Sequence, residues 1–226
     1  MALNSRQLLI MVAAAVLIVA GAVFFFVSRS EHVTLDPAAS TTASVAAKKT
    51  PAEMLVAGPL GEQALGDPKA PNVVIEYASM TCPHCGRFHA DVYPEFKKKY
   101  IDTGKAYFIF REYPLDPLAT SAIMLARCTP ADRYFPIVDL LFDQQTNWAF
   151  VQNPVPALQA VVKQAGITQD QFTACLTNQS VLDGVNWVKK RGNDTFGVNS
   201  TPTFFFNGEK RSGEVSLAEI DKLLGG

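Results

Sequence analysis

Residues 73–85 read VVIEYASMTCPHC, and this stretch determines how the rest of the chain is interpreted. Its first six residues are mostly β-branched or aromatic, a composition typical of a buried β-strand. Cys-Pro-His-Cys follows three residues later, and apolar residues then recur at helical spacing. Proline suits the first turn of a helix, so we predict that Cys82 is the N-cap and Pro83 the first helical residue. The stretch therefore predicts a strand leading into a helix, with two cysteines at the junction.

The two cysteines are placed for thiol–disulfide exchange. At an N-cap, the sulfur of Cys82 faces free N–H groups and the positive end of the helix dipole, which favour the thiolate. His84 can add a positive charge when it is protonated. We predict that Cys82 is the attacking thiol and Cys85, one turn later, its resolving partner. Because a stable thiolate favours the reduced state, the pair should donate its disulfide.

Three other uses of these cysteines fit the sequence less well. A zinc site needs four ligands, and Cys128 and Cys175 stand alone rather than in a second C-x-x-C. Covalent haem attachment needs a histidine where the chain has Gly86. A structural disulfide across so short a loop would stabilise the fold weakly. We therefore expect no metal and no cofactor other than the redox-active disulfide itself.

Cys128 and Cys175 both lie in stretches with helical spacing. In an oxidising compartment we expect a structural disulfide between them. Closing that loop would contribute roughly 4 kcal/mol to stability. Two buried thiols, or a redox-sensitive regulatory pair, are the alternatives.

The amino-terminal residues indicate export. Residues 8–27 are uncharged and mostly apolar, and as a helix they would span about 30 Å, the thickness of a hydrocarbon core. We interpret residues 1–29 as an inner-membrane anchor, the alternative being a signal peptide cleaved near residues 20–22. Residues 30–57, which begin rich in Ala, Ser and Thr, predict a flexible tether. The folded domain is predicted at residues 58–226, on the exported side of the membrane.

The composition excludes several classes of protein. Of the 226 residues, 48% are hydrophobic and 18% charged, which is incompatible with wholesale disorder. The 20 basic and 21 acidic residues nearly cancel, so no strong field would hold a polyanion and we expect no nucleic-acid partner. No repeat of solenoid period is visible. We expect the protein to act as a monomer.

The remaining pattern is that of an α/β domain interrupted by helices. Further strands are predicted over residues 105–110 and 203–206, and Asn207-Gly208 favours a hairpin turn after the latter. Between them, residues 117–196 have helical spacing and predict an inserted helical subdomain. The order is strand–helix–strand–helices–strand–hairpin–helix.

These features together resemble the DsbA family of thiol oxidases. The resemblance rests on C-P-H-C after a strand, Phe88-His89, the sequence FREYPL at residues 110–115, the helical insertion, and Thr-Pro before an Asn-Gly hairpin. It runs from about residue 58 to the end. It implies a thioredoxin fold with an inserted helical subdomain, of the membrane-anchored or exported proteobacterial type.

The resemblance also implies roles for individual residues. The implied catalytic residues are Cys82, Cys85, His84, Pro83 and Glu76. Pro202 would be a cis-proline facing the disulfide, and Thr201 would bind an extended substrate segment through its backbone. Glu76 would be the buried acid that relays the proton of Cys85, with Lys105 as a candidate partner.

The implied function is a protein disulfide oxidase. It would donate the Cys82–Cys85 disulfide to reduced or unfolded exported proteins, and a DsbB-like membrane partner would reoxidise it. Threonine before the cis-proline also resembles disulfide isomerases. A periplasmic isomerase or a dedicated thiol reductase is therefore the alternative.

Overall fold

The computed structural model describes residues 50–225, which fold around a five-stranded mixed sheet. The strands are β1 (Gln63–Leu65), β2 (Asn72–Ala78), β3 (Ala106–Glu112), β4 (Thr203–Phe206) and β5 (Glu209–Ser212). Their order across the sheet is β1-β3-β2-β4-β5. Strands β2 and β3 are parallel, while the other neighbouring pairs are antiparallel. The strand that leads into Cys-Pro-His-Cys is thus the central one.

The helices confirm the predicted insertion between β3 and β4. Two helices connect β2 to β3, namely α1 (Pro83–Asp91) and α2 (Tyr93–Phe96), the latter continuing as a π-helical turn over Lys97–Ile101. The insertion contains α3 (Pro117–Arg127), α4 (Tyr134–Asp143), α5 (Gln145–Trp148), α6 (Pro154–Gln164), α7 (Gln169–Leu176) and α8 (Gln179–Phe196). Helix α9 (Leu217–Leu224) closes the chain. The fold is a mixed α/β thioredoxin-like fold with a helical insertion.

The two faces of the sheet bury different sets of side chains, because successive residues of a strand point to opposite sides. On one face, Val74 of β2 joins a large aromatic core with α1, α9 and most of the insertion. On the other, Ile75 and Tyr77 pack with Val188 of α8. Since β2 is covered on both faces, nearly all of its residues are buried, as its apolar run predicts.

Strand β1 was not predicted from the sequence. It has three residues and lies between Gly61 and Gly66, both with positive φ, so its local pattern resembles a turn-rich loop. Its pairing with β3, far along the chain, is what makes it a strand. The strand predicted over residues 105–110 is β3, which extends two residues further.

The predicted end of the tether is wrong. Residues Ala52–Leu55 form a 3-10 turn that is bonded to the domain. The Nη2 atoms of Arg111 and Arg191 donate to the carbonyl oxygens of Met54, at 2.6 Å, and Glu53, at 2.7 Å. Long-range partners hold this segment in place, so residues 50–57 belong to the folded domain rather than to the tether.

The remainder of that tether and the predicted anchor at residues 8–27 lie outside the described residues. None of the helices between residues 50 and 225 combines the length and apolar character needed to cross a bilayer.

Candidate active site

The Cys-Pro-His-Cys segment lies at the carboxyl end of β2, as predicted. Cys82 is the N-cap of α1 in extended conformation, and Pro83 is the first helical residue. The preceding loop is fixed by the insertion, since Thr81 Oγ1 donates to Asp116 Oδ2 at 2.5 Å. The other oxygen of Asp116 accepts the backbone N–H of Ala119 at 2.7 Å and caps α3. One carboxylate therefore joins the active-site loop to the insertion.

A second link from the insertion was not evident in the sequence. The side-chain amide of Gln145, at the start of α5, donates to the carbonyl oxygens of Met80 at 2.8 Å and Cys82 at 3.0 Å. A Cβ atom on Gly86 would come within 2.5 Å of the Gln145 side-chain oxygen. Glycine after the second cysteine thus leaves room for the amide that holds the loop.

The two thiols differ sharply in acidity. Both are free and buried. The pKa of Cys82 is lowered from 9.0 to about 5, chiefly by a hydrogen bond from the Cys85 side chain. The Thr201 hydroxyl and the backbone N–H groups of Cys85 and His84 add to this, against the opposing effect of burial. Cys82 Sγ makes no regular N-cap hydrogen bond, so the expected capping contributes less than the neighbouring thiol.

The pKa of Cys85 moves in the opposite direction. Burial raises it well above 9.0, and the hydrogen bond to Cys82 and the charge of Glu76 raise it further. The pair therefore has one sulfur that prefers to be a thiolate and one that prefers its proton.

Thr201 and Pro202 face Cys82 from the segment before β4. The peptide bond between them is cis. Cys82 Sγ lies 3.2 Å from the carbonyl oxygen of Thr201. The Thr201 hydroxyl oxygen is buried and has no other hydrogen-bond partner among the described residues, which leaves it available to the sulfur.

His84 belongs to an exposed polar cluster with two residues that sequence reasoning missed. Its Nδ1 lies 2.6 Å from Glu214 Oε1 and 2.6 Å from Arg87 Nη2. Hydrogen bonds from His84 and Arg87 lower the pKa of Glu214. The backbone N–H of His84 is among the groups that lower the pKa of Cys82.

Glu76 is fully buried on β2, beneath the cysteines. Its Oε2 lies 3.1 Å from Nε2 of His89, which is also buried. Lys105 was the expected partner, but it is exposed whereas Glu76 is fully buried, and the ion pair that Glu76 makes among residues 50–225 is with His89. His89 follows Cys85 by four residues and so shares its helix face, a signal present in the sequence.

Comparison with known proteins places this geometry in a family. The family model described as "Thioredoxin" matches residues 60–225. The chain belongs to the thioredoxin family. A solved structure, alpha-DsbA1 of Wolbachia pipientis, is 35% identical with a TM-score of 0.69 over 76% of this chain and 95% of that one. A protein of Rickettsia conorii named as a protein-disulfide oxidoreductase is 32% identical over 70% of this chain. Within its family, the chain is thus DsbA-like.

The chain covers 57% of the Rickettsia protein, so it spans little more than half the length of such relatives. BdbD of Bacillus subtilis is 22% identical with a TM-score of 0.63, over 73% of this chain and 94% of that one, a likeness that concerns the fold alone.

The other two cysteines of the DsbA-like domain are joined. A disulfide connects Cys128, at the end of α3, to Cys175 in α7, with an S–S distance of 2.05 Å. It ties two helices of the insertion together. Within residues 50–225, no group of His, Cys, Asp and Glu side chains is arranged to hold a metal ion.

Proposed function

We propose that this DsbA-like protein is a thiol:disulfide oxidase, which donates the Cys82–Cys85 disulfide to reduced exported proteins. The observation that carries the proposal is the opposite acidity of the two thiols, with a pKa of about 5 at Cys82 and one well above 9.0 at Cys85. Stabilising the Cys82 thiolate stabilises the reduced protein relative to its disulfide. The disulfide is then a strong oxidant.

The reaction takes place in two exchanges. A substrate thiolate attacks Cys82 Sγ, the bond to Cys85 breaks, and Cys85 takes the electron pair and a proton, leaving a mixed disulfide. A second substrate thiolate attacks the substrate sulfur of that mixed disulfide. Cys82 then departs as a thiolate, which its low pKa favours. Glu76, whose charge acts on Cys85, would exchange the Cys85 proton.

The surroundings of Cys82 suit an unfolded substrate. Thr201, beside the cis-proline, would pair its backbone with an extended substrate segment. Thr81, next to Cys82, lines an open groove together with Phe150 and Val155, which are both about half exposed. Exposed apolar side chains of this kind bind the apolar segments that a folded protein would bury.

We further propose that the protein is a periplasmic monomer, anchored in the inner membrane through residues 8–27, and that a DsbB-like membrane protein reoxidises it. The uncharged, mostly apolar run at residues 8–27 and the likeness to DsbA proteins support this arrangement.

The test is the reduction potential, measured by equilibrating residues 50–226 with glutathione redox buffers. We expect an oxidising potential, together with refolding of reduced ribonuclease that Cys82→Ala abolishes. A strongly reducing potential would contradict the proposal and indicate a thiol reductase. Reactivation of scrambled ribonuclease without added oxidant, at a rate above that of oxidative refolding, would indicate an isomerase.

A further inference from the structure

Opening the disulfide requires a proton at Cys85, and neither cysteine can supply it. When the disulfide opens, the departing Cys85 sulfur carries a negative charge at a position with 0% exposure. Burial makes that charge costly. Glu76 is also 0% exposed, so it has no direct exchange with water either. A proton must therefore reach this pair through other groups.

His89 is the group that contacts Glu76. Its Nε2 lies 3.1 Å from Glu76 Oε2, and the two side chains are 4% and 0% exposed. Its ring is stacked on Phe142, with 4.1 Å between ring centroids and 21° between planes. Its other nitrogen, Nδ1, is buried and has no hydrogen-bond partner among the described residues. The imidazole is thus rigidly held, with one nitrogen on Glu76 and the second unused.

Four elements present titratable groups to this imidazole or to Glu76. They are Glu76 on β2, Cys85 on α1, Tyr93 on α2 and Asp139 on α4. Asp139 interacts electrostatically with His89 and, unlike Glu76, is partly exposed; Asp143 and Lys97 act on it in turn. The Tyr93 hydroxyl is buried without a partner among the described residues, and burial raises its pKa, so it keeps its proton.

We propose that His89 carries the Cys85 proton to and from the buried Glu76, with which its imidazole is in contact. The inference rests on the proposed thiol–disulfide exchange and adds a residue to it. When the disulfide opens, the proton passes from the Glu76–His89 pair to Cys85 Sγ. When the disulfide re-forms, Cys85 returns it to the pair and attacks Cys82 Sγ.

A carboxylate with an imidazole suits this position better than a carboxylate alone. With His89 neutral, Nε2–H donates to Glu76 and the pair carries one negative charge. A proton taken up at Nδ1 gives an ion pair with no net charge, so the buried site gains no excess charge.

The test measures the reaction rates of the two thiols separately, as two phases of one reaction. Reduced protein mixed with 5,5′-dithiobis(2-nitrobenzoate) first releases one coloured thiolate as Cys82 attacks, at a rate proportional to reagent concentration. The second is released when Cys85 attacks the mixed disulfide, at a rate independent of that concentration. By microscopic reversibility this second phase uses the same proton path as disulfide opening.

The decisive variant is His89→Gln, whose amide can still donate to Glu76 but cannot carry a proton. We expect its second phase to slow by about 100-fold or more, the lower end of acid–base contributions. The rate should also rise steadily with pH, because hydroxide replaces the missing base. Its first phase should stay within about 2-fold of wild type.

Tyr93→Phe is the matched control, since it removes a buried hydroxyl from the same cluster and leaves the proposed path intact. It should behave as wild type in both phases. A second phase within 2-fold of wild type in His89→Gln would overturn the relay, as would equal slowing of both phases, which indicates a structural role. Neither result would affect the reduction potential, so the proposed oxidase is tested separately.

Discussion

Replacing Cys85 with alanine removes the largest cause of the low Cys82 pKa, the hydrogen bond from the Cys85 thiol. A hydrogen bond to a charged group is worth about 1.5–3 kcal/mol. Since about 1.4 kcal/mol corresponds to a tenfold change in ionisation, the pKa of Cys82 should rise from about 5 to between roughly 6 and 7. At pH 6 its thiolate fraction would fall from about 90% to between about 10% and 50%.

Thiolate absorbance near 240 nm measures this fraction directly, because Cys85→Ala leaves one free thiol. Cys85→Ser is the matched variant: its hydroxyl can still donate to Cys82, so its titration midpoint should stay near that of wild type. If the alanine and serine variants titrated together at the wild-type midpoint, the hydrogen bond between the two side chains would not be the cause. The helix N-terminus would then be the main cause of the low pKa of Cys82.

Three further predictions concern the surroundings of the pair. Thr201→Val removes a hydroxyl that favours the thiolate, so the pH profile of thiol alkylation should move to higher pH. Gly86→Ala displaces the Gln145 amide and its two hydrogen bonds, so it should lower the free energy of unfolding by about 1 kcal/mol, even after the gain in helix propensity. Replacing Cys128 and Cys175 with serine removes a disulfide between residues that are 47 positions apart, so the free energy of unfolding should fall by about 4 kcal/mol.

Denaturant unfolding checks the last two predictions, and alkylation kinetics the first. A Thr201→Val profile unchanged from wild type would show that the hydroxyl does not act on the sulfur. If Gly86→Ala raised the free energy of unfolding instead, Gln145 would not be held against the loop. For the paired serine variant, an unchanged unfolding midpoint would contradict the stabilising role of the disulfide.

The local part of the site follows from the sequence, because a short β-branched run, a proline at the first helical position and a two-residue spacer are all local signals. The same holds for the hairpin at Asn207-Gly208, where both residues adopt positive φ. The thiolate preference of Cys82 also follows from its position, although its main cause is the neighbouring thiol rather than the helix end.

The long-range contacts could not be predicted. Glu214 meets His84 across 130 residues of chain, and Gln145 reaches the loop from an inserted helix. No local spacing encodes such pairings. Lys105 was a reasonable partner for Glu76 in sequence terms, but only the packing of α1 against β2 brings His89 to that carboxylate instead. That residues 50–57 belong to the folded domain was not predicted for the same reason, since their partners are arginines far along the chain.

The most direct test of the central claim is the pH dependence of Cys82 alkylation by iodoacetamide in the reduced wild-type protein. Only the thiolate reacts, so the rate follows ionisation. With a lowered pKa, the rate should be at its plateau at neutral pH and be lost as the pH falls, with its midpoint at about 5. A midpoint close to the ordinary value of 9.0 would contradict the account.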